Sequence, residues 1–432
     1  MIKNLKKKST EAFPLTDVDL RALALAAGAH DAALVSLDHP SLAGEREHAQ
    51  HALPGARYLL SYCVRTRREA IRSPARSIAN HEFHHAGDEV GDVGRELARI
   101  LEDRGIRSLV PPMGFPQEME HFPGRIWTIQ HKTAAEASGL GVMGIHRLVI
   151  HPKFGNFILL GTLVIAEEVQ AAPPKEIASP CFECKLCVAA CPVGAIRADG
   201  YFDFSACYTH NYREFMGGFT DWVEHVVDSK NAKDYRKRVT DSESASMWQS
   251  LSSGSNYKAA YCMAVCPAGE DVIGAYEEDK GGFVRRVVKP LQAREEPVYV
   301  MPGTDAEEYV KKRFPNKHTR PAGSVLRPVD LDSFLGAARH VFQRDHAMGL
   351  DAVYHFRFRG AEVREATITI RDQKLTVEEG LLGKADLRVT ADTDTWVRFL
   401  RKEVSIVRAL LTAKVRLKGP PKLLVAFGRC FP

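Results

Sequence analysis

Residues 181–192 read Cys181-Phe182-Glu183-Cys184-Lys185-Leu186-Cys187-Val188-Ala189-Ala190-Cys191-Pro192, a C-x2-C-x2-C-x3-C-P run. Three thiolates separated by two residues each wrap one iron–sulfur cubane, and the next turn carries the fourth toward a neighbouring cluster. Pro192 stops the segment from folding back on itself. A second, degenerate run follows at Cys262-x3-Cys266-Pro267, with Cys207 alone between the two. Structural zinc is the alternative use of clustered cysteines, but zinc sites usually show two separated C-x2-C pairs. Disulfides suit the pattern less, because the cysteines cluster and nothing marks the chain for secretion. The run describes an iron–sulfur protein.

The chain has 432 residues, which suggests two or three domains. Its 45% hydrophobic and 26% charged residues are those of a globular protein with real cores. A net charge of +5 does not indicate a phosphate-binding surface. Met1 to Thr10 is basic but lacks the apolar region of a signal peptide. The longest apolar stretch, Phe157 to Ala166, falls short of the roughly 20 residues of a membrane helix. Seven of the nine cysteines fall in the cluster region, which implies a reducing compartment, the cytoplasm.

Residues 11–175 read as an α/β domain. Val18 to Ala27 has a helical pattern ending at Gly28, and Asp31 to Leu37 reads as a strand. Tyr58 to Val64 is a buried apolar strand. An amphipathic helix runs from about Asp88 to Asp103, with Gly105 as its stop and Ile106 to Val110 as the next strand. The alternation of helix and strand predicts a layered fold. Ahead of that helix, His81-Glu82-Phe83-His84-His85 matches the H-E-x-x-H zinc motif by letter. Gly87 directly after it and the lack of an evident third ligand argue against a catalytic zinc, and favour a polar approach to a ligand cavity.

Downstream, Gln130-His131-Lys132-Thr133-Ala134-Ala135-Glu136-Ala137-Ser138-Gly139-Leu140-Gly141-Val142-Met143-Gly144 predicts a helix ending at Gly139. Three close glycines then let backbone approach something flat or bulky. The dinucleotide reading of G-x-G-x-x-G fails, since the glycines follow a helix rather than a strand. A glycine-rich turn without a ligand is the bland alternative. Leu159 to Ala166 supplies another strand.

His131-Lys132, Ala137-Ser138-Gly139-Leu140-Gly141, Gly144, Phe154-Gly155 and Gly161, followed by the paired cysteine runs, resemble the epoxyqueuosine reductase and reductive dehalogenase superfamily over residues 15–290. The resemblance implies a nitroreductase-like, corrinoid-binding α/β domain for 11–175 and a ferredoxin-like double-cluster domain for 176–289. Gly139, Gly141 and Gly144 would then bind the cofactor, cobalamin or less favourably flavin. The epoxyqueuosine branch carries an acidic proton donor upstream of the turn, where this chain reads His121-Phe-Pro-Gly-Arg125-Ile-Trp-Thr-Ile-Gln130 without a match. Glu118, Glu120, His121 and His131 are the proton donors left to consider, each with a structural alternative.

By ferredoxin logic, Cys181, Cys184, Cys187 and Cys266 hold one [4Fe-4S] cluster, while Cys191, Cys207 and Cys262 hold a second, one thiolate short. The expected cysteine is replaced by Ala259. The second site is then a [3Fe-4S] cluster, or a [4Fe-4S] cluster with a ligand such as His210 or a small molecule. Cys63, in an apolar strand, reads as core.

Between the runs, Asp221 to Ser255 is a charged, helical insertion. Residues 290–328 carry Pro290, Pro297, Pro302, Pro315, Pro321 and Pro328, and read as an extended linker. Beyond it, residues 329–432 predict a helix over Leu331 to Ala347, four strands starting at Ala352, Ala366, Gln373 and Ala385, and helices at Asp392 to Glu403 and Pro421 to Phe427. This order, with Trp396 and Lys414-Val-Arg-Leu-Lys-Gly419, resembles the sterol carrier protein 2 domain. The resemblance implies an α+β domain around an apolar tunnel for a lipid-like small molecule. A small domain that binds nothing is the alternative, since an apolar sheet face is ordinary core.

The resulting expectation is an iron–sulfur oxidoreductase. Electrons from a ferredoxin or flavodoxin pass through the clusters to cobalamin and reduce an apolar, oxygenated or halogenated substrate. The alternative is a non-catalytic, ferredoxin-like electron carrier with a lipid-binding domain. Modest charge and the lack of a basic or aromatic stripe speak against a nucleic-acid substrate.

Overall fold

The computed structural model describes residues 15–122, 124–214, 216–254, 256, 258, 260–323 and 327–431. Met1 to Thr10, residues 11–14 of the first expected domain, Ala259 and the side chain of His121 lie outside them.

The apolar run Tyr58–Arg65 becomes a central strand. Its sheet has the order Asp31–Ser36, Tyr58–Arg65, Ile158–Ile165, Ser108–Leu109. Helices lie against this sheet as the alternation predicts, but every strand pair in it is antiparallel. Alternation constrains the layering and leaves strand direction open, because helices can also connect antiparallel neighbours. Leu20, Leu60, Leu97, Leu101 and Leu163 are fully buried between the layers.

The amphipathic helix spans Arg76–Glu102, starting well before Asp88. Its glycines permit close packing instead of breaking it. A Cβ on Gly94 would stand 2.4 Å from the Tyr62 hydroxyl oxygen, and one on Gly87 would stand 2.7 Å from Met113. Tyr62 donates its hydroxyl to the Val90 carbonyl at 2.9 Å. His81 and His85 therefore lie within the helix, their rings edge to face with centroids 4.2 Å apart.

The proline-rich segment is not an extended linker. It folds as a helix Lys289–Ala293, a strand Pro297–Val300, a helix Asp305–Arg313 and a strand His318–Pro321, the two strands pairing in parallel. Val298 and Val310 are fully buried in the same core as Cys187 and Cys191. The prolines punctuate these short elements: Pro290 sits in a helix's first turn, Pro297 opens a strand and Pro321 closes one. Proline density alone could not separate such punctuation from a solvated spacer.

The insertion is helical, with Gly217–Val227, Ala232–Arg238 and Asp241–Ser253. Thr240 caps the last of these in a reciprocal box with Glu243. Glu243 also binds the insertion to the strand pair, accepting from the Tyr299 hydroxyl at 2.7 Å and from Arg320 at 2.6 Å.

The C-terminal region holds a five-stranded mixed sheet, ordered Lys374–Glu379, Arg364–Arg371, Ala352–Arg359, Leu387–Asp392, Val415–Lys418. Only the pairing of Ala352–Arg359 with Leu387–Asp392 is parallel. The predicted helix at Leu331 ends at Val341, where Phe342 turns extended, and a single 3-10 turn follows at Asp345–Ala347. Alternate residues Tyr354, Phe356 and Phe358 face inward and meet Phe334, Trp396 and Phe427, with Phe356–Trp396 and Phe356–Phe427 centroids both 5.4 Å apart. Among the described residues, no helix is long and apolar enough to cross a membrane.

Two stability predictions follow from this packing. Phe356→Ala removes a fully buried ring and should lower stability by about 3–5 kcal/mol in denaturant unfolding of the C-terminal region. Glu243 has burial raising its pKa, but hydrogen bonds from Arg320, the Thr240 backbone, Tyr299 and the Thr240 hydroxyl outweigh that and hold it at about 2. A carboxylate depressed in the folded state stabilises above its unfolded pKa, and that contribution is lost as pH falls through the folded value. Glu243→Gln should therefore lower the Tm at pH 7 and flatten the decline of Tm between about pH 4.5 and 2.

Candidate functional site

The cysteine runs fold into two matching turns. Helix Leu186–Ala190 is entered through Lys185 at φ 62°, and helix Tyr261–Val265 through Ala260 at φ 66°. Glu183 is also left-handed, at φ 53°. Non-glycine residues adopt this region at a cost of about 1–3 kcal/mol and persist where their surroundings dictate it. Here the bends curl the loop around a small void lined by Cys181, Cys184, Cys187 and Cys266, with Ile145, His146 and Ala268 behind them. These are the four cysteines expected to share one cluster, and they arrive from segments about eighty residues apart in the sequence.

Cys191, Cys207 and Cys262 line a second and much larger space, a chamber of about 620 Å³. Asp203 caps the helix Phe204–Asn211 by accepting from the Ala206 backbone at 2.9 Å, which fixes the turn that carries Cys207. Most of the remaining wall is apolar, including Ile71, Phe83, Trp127, Ile129, Leu159 and Met263. Asn80 and Phe83 bring the H-E-x-x-H segment's helix to the chamber. Among the described residues, no three His, Cys, Asp or Glu side chains gather as closely as a single metal ion requires. A cubane is an extended body, so its thiolates stand further apart than ligands of one ion.

Burial pushes the thiols of these cysteines up, Cys262 and Cys266 to about 12. Cys184, Cys187, Cys191 and Cys207 move in the same direction for the same reason. Bare, such groups retain their protons; cationic iron is the counter-charge that would let them ionise. Seven thiols gathered around two spaces thus form a donor set suited to clusters.

The expected proton donors do not converge here. Glu118 and Glu120 are exposed and lie outside the chamber wall. His131 lines the chamber, but its Nε2 faces the Pro112 carbonyl at 3.0 Å and its Nδ1 faces the Thr162 hydroxyl at 2.8 Å. The carbonyl requires a proton on Nε2, so Nδ1 accepts from Thr162. Burial lowers its pKa. Both ring nitrogens are engaged by the protein itself, and the Nε2 proton is directed at the Pro112 carbonyl.

Lys132, the next residue, was legible only as part of a sequence motif. It lines the chamber, and its side chain remains accessible to solvent. Its ammonium donates to the Arg147 carbonyl at 2.7 Å. Burial lowers its pKa, while the charges of Cys207 and Cys262 oppose that shift. A lysine of this kind is the wall's best-placed acid.

The glycine turn serves the chain itself. A Cβ on Gly139 would stand 2.3 Å from the Lys175 carbonyl oxygen, one on Gly141 2.5 Å from Val149, and one on Gly144 2.8 Å from Ile150. None of the three lines the chamber. Their close backbone approach, expected to accommodate a cofactor, accommodates neighbouring strands.

The C-terminal region completes the wall. His340 lines the chamber, its ring 4.9 Å from that of Phe204. Tyr201 donates to the Phe342 carbonyl at 3.3 Å, Arg197 pairs with Asp345 at 2.8 Å, and the Asp305 backbone donates to Gln343 at 2.9 Å.

With this geometry, the chain resembles the epoxyqueuosine reductases over much of its length and ends in a region resembling sterol carrier proteins. Residues 338–432 match the SCP-2 sterol transfer family. The epoxyqueuosine reductase of Synechococcus sp. (strain CC9605) is 29% identical over 171 residues, covering 38% of this chain and 48% of the relative. That of Gloeobacter violaceus is 26% identical over 172 residues, covering 38% and 49%. The chain thus spans about half the length of these curated relatives. The structure of epoxyqueuosine reductase from Streptococcus thermophilus covers 64% of this chain and 78% of its own, at 14% identity and a TM-score of 0.34.

The two cysteine sets give separable outcomes. In anaerobically reconstituted protein, Cys184→Ser should remove about four irons per chain and leave the second cluster's paramagnetic signal, whereas Cys207→Ser should remove the second signal alone. Loss of both signals in either variant would show that the cysteines are not partitioned between two clusters.

Proposed function

We infer that the chain is an iron–sulfur reductase that delivers electrons from a ferredoxin or flavodoxin, through two clusters, to an apolar molecule held in the 620 Å³ chamber. The observation that carries this reading is the position of Cys191, Cys207 and Cys262 on the chamber wall, with the four-cysteine void beside it. His146 lines both spaces and so places the two sets side by side. The likeness to epoxyqueuosine reductases supports reductive chemistry. The apolar wall and the SCP-2 match support a lipid-like, oxygenated or halogenated substrate. An electron carrier alone would need no such chamber, so the carrier reading is not favoured.

Cobalamin, which the family resemblance implies, would meet the chamber's largely apolar wall. The chamber is open on one side, so its volume sets no upper limit on a cofactor whose arms extend outward. Gly139, Gly141 and Gly144 are occupied by the protein's own packing. The clusters fit, and when present they supply single electrons. Two electrons and one proton convert a carbon–heteroatom bond to carbon–hydrogen and release the heteroatom group as an anion. The chain's own contribution is to enclose the substrate and supply the proton, from the Lys132 ammonium.

Titration of the reconstituted protein tests this. Reduced ferredoxin should bleach both cluster absorptions, and clusters that it cannot reduce would overturn the reading. Stoichiometric cobalamin binding, with a cobalt signal reducible through the clusters, would assign the chamber to the corrinoid, and its absence would leave the chamber to the substrate alone. Once a substrate is in hand, Lys132→Gln should lower kcat by about 10²–10⁴-fold while cluster content is retained.

A further inference from the structure

The two cysteine turns are copies of one unit. Cys187, Cys191 and Pro192 correspond to Cys262, Cys266 and Pro267, each 75 positions on (262 − 187, 266 − 191, 267 − 192). The left-handed residue that opens each helix corresponds as well, Lys185 with Ala260. In this register Cys181 falls on Asn256 and Cys184 on Ala259, so the second turn has lost two sulfurs. Cys207, from a separate helix, restores one of them.

The three thiolates that remain, Cys191, Cys207 and Cys262, all lie on the chamber wall. A cluster held there is bound by protein on one side and meets the chamber on the other. His210 is the rival for the fourth position. It shares a helix with Cys207, and its buried Nε2 has no hydrogen-bond partner. Its Nδ1 accepts from the Tyr299 backbone at 3.2 Å, however, and the residue is not among those that line the chamber.

We propose that the second cluster is a four-iron cluster with three protein ligands among the described residues, and that its fourth iron takes a carboxylate oxygen of an apolar acid bound in the chamber. This rests on the assignment of Cys191, Cys207 and Cys262 to a cluster. An iron without a thiolate is a harder acid than its neighbours and accepts oxygen donors. Lys132, which lines the same space and donates to the Arg147 carbonyl at 2.7 Å, adds a positive charge for an anionic head group. Ile71, Phe83, Trp127, Ile129 and Leu159 offer the surface for an unbranched hydrocarbon tail. The chamber's volume lies in the range that holds drug-sized ligands, which a medium-chain fatty acid does not exceed. Iron anchoring, charge and apolar wall thus select one ligand class.

Decanoate is the probe, titrated into the full reconstituted and reduced chain under paramagnetic resonance. The second cluster's signal should shift saturably while the first stays fixed, and decanoate enriched in ¹⁷O at the carboxylate should add a hyperfine coupling. Decanol should produce neither effect. Lys132→Gln should weaken the apparent affinity for decanoate about tenfold or more, as loss of a charge-assisted contact does. Ala259→Cys, which returns the missing thiolate, should keep both clusters and abolish the shift. A second signal that decanoate leaves unmoved would overturn this inference and leave the reductase reading standing, as would a three-iron signal that persists with excess ferrous iron. So would a His210→Ala variant in which the shift first appears. No second cluster in the wild-type chain would overturn the cluster assignment itself.

Discussion

Seven thiols gathered around two spaces are the constraint around which this fold is arranged. Burial raises the pKa of Cys187, Cys207, Cys262 and Cys266, and their ionisation depends on a cation that the chain must be built to enclose. The ligands come from three separate segments, so the backbone between them has to be fixed before any cluster can be shared. Asp203 fixes the turn before Cys207. Tyr261, beside Cys262, is held by the buried Glu296 carboxylate at 2.7 Å, and Glu296 is paired with the buried Lys317 at 2.7 Å. Removing one partner of such a pair is costly because the other charge is left uncompensated. Lys317 also donates to the Leu291 and Arg294 carbonyls, which leaves its ammonium with several acceptors. The segment 290–328 therefore belongs to the cluster's support, and its prolines end elements that bear on the cysteines.

The same constraint explains how the large chamber can lie against the ligands. The first void is small and is lined by its own turn, by His146 and by Ala268. The second turn lacks the two sulfurs that would wrap its cluster, and the space on that side continues into the chamber. The same turn thus borders a small void in one half and a large chamber in the other, and only the larger space has room for a ligand.

Much of this was legible in the residues. The C-x2-C-x2-C-x3-C-P spacing carried the partition of Cys181, Cys184, Cys187 and Cys266 from Cys191, Cys207 and Cys262, because sulfur spacing is dictated by the size of the cluster and not by the rest of the fold. Period-two alternation in Val353 to Phe358 located a sheet face. Direction in the first sheet was not legible, since alternation of elements says nothing of how strands run. The glycines at 139, 141 and 144 showed that backbone comes close to something without showing what, and the neighbours they meet include Lys175, Val149 and Ile150. Lys132 was hidden for a different reason: its place on the chamber wall depends on residues distant in sequence, such as Cys207 and Cys262, that line the same space.

The C-terminal region has two roles to reconcile. Its match to the SCP-2 sterol transfer family suggests a lipid carrier with its own interior, yet Phe334, Phe356, Phe358, Trp396 and Phe427 turn their rings on one another inside it. Such edge-to-face packing is a stable core in its own right. What the region presents outward includes His340 on the chamber wall, flanked by the Arg197–Asp345 pair and the Tyr201–Phe342 contact. A domain attached by short polar contacts around a shared apolar space can close that space without filling it. Other contacts join the ion pair there: Arg344 pairs with Asp199 and lies over the Tyr201 ring, and the Asp345 backbone donates to Asp305 at 2.8 Å. The region is therefore held in place by a set of contacts, and His340 belongs to the chamber wall because that set fixes it there.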